Sequence, residues 1–203
     1  IHFKKIKNMQ LSDFVFVKDR VFTPEFCNEL IDLFEKRDDL VSVGEMAGGV
    51  NTEVKNTTDL NLFMYDDLMD QYGNFILSKF NELTNEYVES LPYQNKFSGS
   101  QVFASSSEYT TCQLQKYVKN EGHYNAYHFE TDHPDNCCRA FVYIFYLNDV
   151  LEGGETDMLY ANTKVQPKQG RVVVHPAAFP FIHNGHMPVS HDKYILTSWL
   201  NYV

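Results

Sequence analysis

The stretch AFVYIFYLND (140–149) decides the fold class of this 203-residue chain. It is a run of β-branched and aromatic residues that ends in turn-forming Asn and Asp, the pattern of a strand. Similar runs predict strands over 111–118, 171–175 and 193–202, with Gly, Pro, Asn and Asp between them. No helix-length periodicity interrupts these runs, so antiparallel pairing is expected. Residues 92–203 therefore predict a jelly-roll or sandwich body.

The first part of the chain has helical patterns. Thr23-Pro24-Glu25 combines an N-cap hydroxyl, a proline at the first helical position and an acid near the helix start. An apolar stripe predicts a second helix over about 67–87, and 14–17 reads as a short strand. The glycine-rich and polar segment 42–59 predicts a long loop.

These patterns give an α+β fold class that is mainly β. A length of 203 residues and the absence of a linker predict one domain. In that domain, residues 1–91 form a helical support and residues 92–203 form the jelly-roll core.

Charge and composition exclude several classes of partner. The 17 basic and 27 acidic residues give a formal net charge of −10, which argues against nucleic acid and against an anionic membrane surface. No stretch approaches the roughly 20 apolar residues of a membrane span. Residues 1–10 lack the apolar core of a signal peptide, so the cytoplasm is the default expectation. The oligomeric state is left open.

A possible metal site lies in GHYNAYHFE (122–130) and FIHNG (181–185). On a strand, residues two apart point to the same side, so His128 and Glu130 converge on one point. His183 is the candidate third ligand from another strand. Two imidazoles and one carboxylate form the facial triad of non-haem Fe(II) oxygenases.

Spacing alone leaves alternatives open. With eight histidines and 27 acids in the chain, such a pattern also arises by chance from surface or core histidines. The nearby His133-Pro134-Asp135 has similar spacing, but its proline and neighbours predict a turn rather than a paired strand.

Four further motifs occur in a fixed order: YLN…GGET (146–156), PKQG (167–170), HNG (183–185) and KYILTSW (193–199). Together they resemble the prolyl 4-hydroxylase-like 2-oxoglutarate/Fe(II) oxygenases, whose fold is a double-stranded β-helix, a cupin-like jelly roll. The resemblance covers about 111–203. It implies a dioxygenase that uses Fe(II), 2-oxoglutarate and O2 to hydroxylate an unactivated C–H bond, with succinate and CO2 as co-products.

The resemblance also implies roles for individual residues. His128, Glu130 and His183 match the iron ligands, although the family usually has aspartate where this chain has Glu130. Asp132 therefore stays as an alternative ligand.

Four more positions match the family's binding site for 2-oxoglutarate. Lys193 matches the basic residue that pairs with the distal carboxylate. Tyr117 and Tyr146 match tyrosines that hydrogen-bond the cosubstrate. Trp199 is expected beside the same pocket.

The substrate is less defined than the chemistry. Peptidyl proline is the leading candidate by resemblance, while another protein side chain, a free amino acid or another small molecule stays open. Two other functions are compatible with the metal-ligand pattern: a non-catalytic metal-binding jelly-roll domain, and a cupin-like metalloenzyme that does not use 2-oxoglutarate. A lysine among the inward-facing residues of the last strand argues against both.

Overall fold

A computed structural model describes residues 8–92 and 107–203. It contains two antiparallel sheets, and helices lie against the outer face of the larger one. The fold class is therefore α+β and mainly β, as predicted. None of the helices in the described ranges is long and apolar enough to cross a membrane.

The larger sheet has seven strands, and the strongest hydrophobic runs lie at its centre. Seven of the eight residues of the strand Arg139–Tyr146 are buried, because helices cover one face and the second sheet covers the other. In spatial order the strands are β1 (Phe16–Lys18), β10 (Val172–Pro176), β7 (Arg139–Tyr146), β12 (Lys193–Tyr202), β5 (Ser107–Tyr117), β4 (Thr58–Asn61) and β2 (Ser42–Val43).

The smaller sheet has five short strands and carries the candidate metal ligands. Its strand β11 pairs with β6 so that His183 lies directly opposite His128. In spatial order the strands are β3 (Lys55–Asn56), β6 (His123–His128), β11 (His183–Gly185), β8 (Thr156–Met158) and β9 (Thr163–Val165).

Two helices cover the outer face of the larger sheet. The first, α1 (Pro24–Lys36), begins as predicted, with the Thr23 hydroxyl accepting a hydrogen bond from the Phe26 backbone N–H. The second helical region was predicted as one helix over about 67–87. It consists of a short turn α2 (Asp66–Leu68), a π-helical segment (Met69–Gly73) and α3 (Asn74–Ser90).

The segment 42–59 differs from its prediction as one long loop. It contains β2, β3 and the start of β4, because these short strands form by tertiary pairing and have no periodicity of their own. Lys55 and Asp59 are both buried here and form an ion pair of 2.7 Å. The described part of the predicted helical support, residues 8–91, thus supplies four short strands as well as helices. The predicted boundary between the helical support and the jelly-roll core, at residue 92, lies next to residues 93–106, which are outside the described residues. The one-domain organisation therefore stays a prediction.

A buried hydroxyl ties α3 to the larger sheet. Thr84 Oγ1 donates to the Phe80 carbonyl oxygen, and it lies 2.6 Å from the hydroxyls of both Tyr109 and Tyr143. Tyr109 belongs to β5 and Tyr143 to β7. This one side chain therefore joins the helix to two strands.

We expect Thr84→Val to lower the free energy of unfolding by about 1–3 kcal/mol, because two phenolic hydroxyls lose their shared buried partner. The matched control is Thr52→Val at an exposed turn, for which a change within about 0.5 kcal/mol is expected. Urea unfolding monitored by circular dichroism measures both variants. Equal effects of the two substitutions would contradict this role of Thr84.

Candidate active site

A cavity of about 550 Å³ lies between the two sheets. Its floor is the inner face of the larger sheet, where alternate residues of β5, β7 and β12 point inward. Its opposite wall includes β6, β11 and the segment that follows β6. The cavity therefore collects residues from both sheets at one place.

His128, Glu130 and His183 meet in this cavity. Each offers a ligand atom, and these atoms lie within 4.8 Å of one another. Glu130 Oε1 is 3.6 Å from His128 Nε2 and 3.5 Å from His183 Nε2. These are the three residues that the sequence pattern predicts as ligands of one metal ion.

The backbone orients both imidazole rings. His128 Nδ1 lies 3.0 Å from the Ala126 carbonyl oxygen, and His183 Nδ1 lies 3.2 Å from the Phe181 carbonyl oxygen. Because a carbonyl oxygen only accepts, each Nδ1 carries a proton, and Nε2 is the ring nitrogen that faces the shared centre. This tautomer is the one that a metal-binding histidine needs.

The carboxylate of Glu130 has two different environments. Its Oε1 faces the two imidazoles, while its Oε2 accepts a 2.7 Å hydrogen bond from Arg139 Nη1. Burial by itself would raise the pKa of this carboxyl, but the neighbouring His128 and His183 outweigh burial and hold that pKa well below its ordinary value. The carboxylate is therefore anionic at neutral pH.

The other acidic candidates lie outside this cluster. Asp132 lines the cavity, but it is not among the ligand atoms that come within 4.8 Å of one another in the described residues. His133 precedes a 3₁₀ turn over Pro134–Asn136, and its Nδ1 accepts a hydrogen bond from the Asp135 backbone N–H. The turn that the proline predicted is therefore present.

Lys193 is the first residue of β12 and lies deep in the cavity, with 1% of its surface exposed. Its Nζ donates to the Gly154 carbonyl oxygen at 3.0 Å and lies 4.0 Å from the centroid of the Tyr117 ring. Within the described part of the chain, no carboxylate forms an ion pair with this ammonium group. Burial lowers the pKa of Lys193 to about 7, against a smaller opposing effect of Glu155.

Gly154 explains part of this arrangement. Its φ of +76° is one that side chains rarely adopt, and a Cβ there would lie 3.4 Å from Lys193 Cδ. A glycine at this position lets the backbone approach the lysine and turn a carbonyl oxygen toward it.

The two predicted tyrosines occupy different places. Tyr117 lines the cavity beneath Lys193. Tyr146 lies behind the wall: its hydroxyl donates to Thr156 Oγ1 at 2.7 Å, and Thr156 is the residue that lines the cavity. Trp199 also lines the cavity, and the Arg139 guanidinium stacks on its ring at 4.0 Å.

The sequence analysis did not single out His175. This fully buried ring lies 4.8 Å from the His183 ring, centroid to centroid, and its Nδ1 donates to the Pro176 carbonyl oxygen. Burial lowers the pKa of His175 to about 3, so the ring is neutral. The only signal for it was its place in a predicted strand, which does not distinguish a core histidine from a ligand.

Several polar atoms of the cavity-lining residues lack a partner among the described residues. They are the hydroxyls of Thr111 and Thr197, the indole N–H of Trp199 and the side-chain oxygen of Asn184, and each of these atoms is buried. Buried polar groups in proteins are normally hydrogen-bonded.

Comparison with known proteins gives a family-model match in the second half of the chain. The family model described as "2OG-Fe(II) oxygenase superfamily" matches residues 112–201. No curated protein is significantly similar to the chain in sequence.

Solved structures with a similar fold include several prolyl hydroxylases. The viral collagen prolyl hydroxylase of Paramecium Bursaria Chlorella virus-1, solved with 2OG, is 21% identical over 94% of this chain and 97% of its own, with a TM-score of 0.65. A Pseudomonas putida prolyl-4-hydroxylase is 15% identical over 94% and 97%, with a TM-score of 0.66. A Trichoplax adhaerens prolyl hydroxylase, in complex with a hypoxia inducible factor peptide fragment, is 12% identical over 94% and 84%, with a TM-score of 0.66.

The matched segment contains every residue of the triad and Lys193. Residues 112–201 therefore match the 2OG-Fe(II) oxygenase superfamily, a match that supports a dioxygenase using Fe(II), 2-oxoglutarate and O2, and the fold of the chain is that of the prolyl hydroxylases.

Proposed function

We propose that this protein is a 2-oxoglutarate-dependent dioxygenase that hydroxylates an unactivated C–H bond of a peptide, with a prolyl residue as the first candidate, and releases succinate and CO2. In this proposal His128, Glu130 and His183 hold Fe(II), and Lys193 binds the distal carboxylate of 2-oxoglutarate. The whole chain would act as one catalytic domain.

The donor set fits the metal. Two imidazoles that face the shared centre through Nε2, together with one carboxylate, are ligands that suit Fe(II) and leave positions open. When bound, Fe(II) with 2-oxoglutarate supplies the activation of O2 that C–H oxidation requires. The role of the chain is to hold the ion, orient the cosubstrate and substrate, and exclude water.

Lys193 is the observation that carries the cosubstrate assignment. A buried ammonium group is costly unless an anion compensates it, and the described residues provide no carboxylate at ion-pair distance. The cation lies in the same cavity as the triad, where a ligand with a free carboxylate can reach both. A metalloenzyme without such a cosubstrate has no use for this cation.

Aromatic side chains near the cavity support a peptide substrate. Tyr127 and Phe129 line the cavity, and the Phe179 ring lies 6.3 Å from the Phe129 ring with 62% of its surface exposed. Exposed aromatic rings are a common surface for proline-containing peptides. The solved Trichoplax relative is itself in complex with a peptide.

Replacement of Glu130 by Ala should lower the affinity for Fe(II) by more than about 100-fold, since the loss of a ligand exceeds the 10–100-fold effect of a lost supporting group. Asp132→Ala is the matched control and should keep the affinity within about threefold. Anaerobic calorimetric titration of the metal-free variants measures both. The reverse ranking would transfer the ligand role to Asp132.

Replacement of Lys193 by Met should weaken 2-oxoglutarate binding by about 10²–10³-fold, the effect of removing one partner of a buried ion pair. Fe(II) affinity should stay unchanged. The visible charge-transfer band that forms when 2-oxoglutarate is added anaerobically to the Fe(II) protein reports the binding. Lys164→Met, at an exposed lysine paired with Asp157, is the control and should leave the band unaltered. An unchanged 2-oxoglutarate affinity in K193M would refute the assignment.

The pH dependence of this binding tests the same contact. With a pKa of about 7, the lysine loses its proton as pH rises, so 2-oxoglutarate affinity should fall above about pH 7 and binding should take up a proton. Lys193→Arg should remove this dependence, because a guanidinium group stays protonated. Titration in two buffers of different ionisation enthalpy measures the proton uptake. An equal pH dependence in K193R would place the titrating group elsewhere.

The reaction is tested with proline-containing peptides and matched peptides in which alanine replaces proline. Turnover should release succinate and add one oxygen atom to the proline peptide only, as read by mass spectrometry. Succinate formation that never depends on any peptide or small molecule would contradict the hydroxylase proposal.

A further inference from the structure

We propose that Arg139 is a positioning residue that limits Glu130 to one-oxygen binding of the metal. This inference rests on the proposed function, in which Glu130 is a ligand. It assigns Arg139 a role at the Glu130 carboxylate.

The two oxygens of Glu130 are divided between two partners. Oε1 points to the centre shared by the imidazoles, at 3.6 Å from His128 Nε2 and 3.5 Å from His183 Nε2. Oε2 is held at 2.7 Å by Arg139 Nη1. The bond to the guanidinium group holds Oε2 at the arginine, so Oε1 is the oxygen placed to bind a metal ion.

The arginine is itself fixed on three sides. It is the first residue of β7, and its backbone pairs with Asn201 of β12. Its guanidinium group stacks on Trp199 at 4.0 Å. Arginine side chains that stack on an aromatic ring and bond a carboxylate lose little further freedom, because the planar group is preorganised. Arg139 and Trp199 therefore act as a rigid brace for Glu130.

The brace compensates for the length of glutamate. Glutamate has one more methylene than aspartate, which moves its carboxylate on the order of 1.5 Å and adds a rotatable bond. Without a partner for Oε2, this longer side chain could turn both oxygens to the metal or swing away from it. Arg139 removes both options. One-oxygen binding leaves the remaining ligand positions to the cosubstrate and O2.

The burial of the pair strengthens the contact. The side chains of Arg139 and Glu130 are 19% and 11% exposed, so little water screens their attraction. Arg171 offers a matched comparison: it is 21% exposed, pairs with Asp19 at 2.6 Å, and does not line the cavity.

The test is a double-mutant cycle on metal affinity with Co(II) and Fe(II) under anaerobic conditions. R139M should weaken metal binding by about 10–100-fold in the chain with Glu130, the effect of a lost supporting group. In the E130D background the same substitution should change affinity by less than about threefold, because the shorter carboxylate no longer reaches the arginine. R171M should leave metal affinity unchanged.

A spectroscopic readout separates positioning from a loss of structure. The visible absorption spectrum of the Co(II) form should change in R139M, because the second oxygen of Glu130 is released to the metal, and should be unaltered in R171M. Circular dichroism and thermal unfolding check that each variant is folded. Should R139M not fold, R139K carries the test: a lysine cannot both stack on Trp199 and hold Oε2, so we expect an intermediate loss and the same spectral change.

The outcomes distinguish this inference from the proposed function. Wild-type affinity and spectrum in R139M or R139K, together with loss of metal in E130A, would overturn the positioning role alone. Retention of metal in E130A would overturn the proposed ligand set itself. An equal effect of R139M in both backgrounds would also overturn the inference, because the arginine would then act independently of the glutamate.

Discussion

The arrangement of β12 between β5 and β7 is the constraint on which the rest of the structure depends. Successive side chains of a strand point to opposite faces, so one set of β12 residues packs under the helices while the other enters the cavity. Leu196 and Leu200 belong to the hydrophobic core between the larger sheet and the helices. Lys193, Thr197 and Trp199 line the cavity. A slip of one residue in this strand would exchange the two sets and bury the site residues under α3.

Much of this arrangement could be predicted from the sequence because its signals are local. The Thr23 cap, the run 140–147 and the His-x-Glu spacing all act through near neighbours, and the structure has the helix, the strand and the cluster they predicted. The two-residue strands β2 and β3 could not be predicted, because their pairing comes from partners far along the chain.

The same limit applies to the site. Spacing placed His128 and Glu130 together, but nothing local could show that Tyr146 lies behind Thr156 or that His175 lies against His183. The division of the Glu130 oxygens depends on Arg139, nine positions along the chain across an irregular turn, and such a contact is visible only in three dimensions. Lys193 was the exception, since alternation along one strand was enough to predict that it faces inward.

The short strands of the smaller sheet have a consequence for folding. β11 has three residues and is hydrogen-bonded to β6 and β8, so few backbone bonds hold the wall that carries His128 and His183. Elements with few such bonds open at a lower free energy than a long central strand such as β12. An ion that joined these residues would act as a cross-link between β6 and β11, and its binding energy would be added to the stability of this sheet. The resistance of the smaller sheet to proteolysis and hydrogen exchange would then increase with the concentration of metal. The resistance of the larger sheet and its helices would not depend on metal.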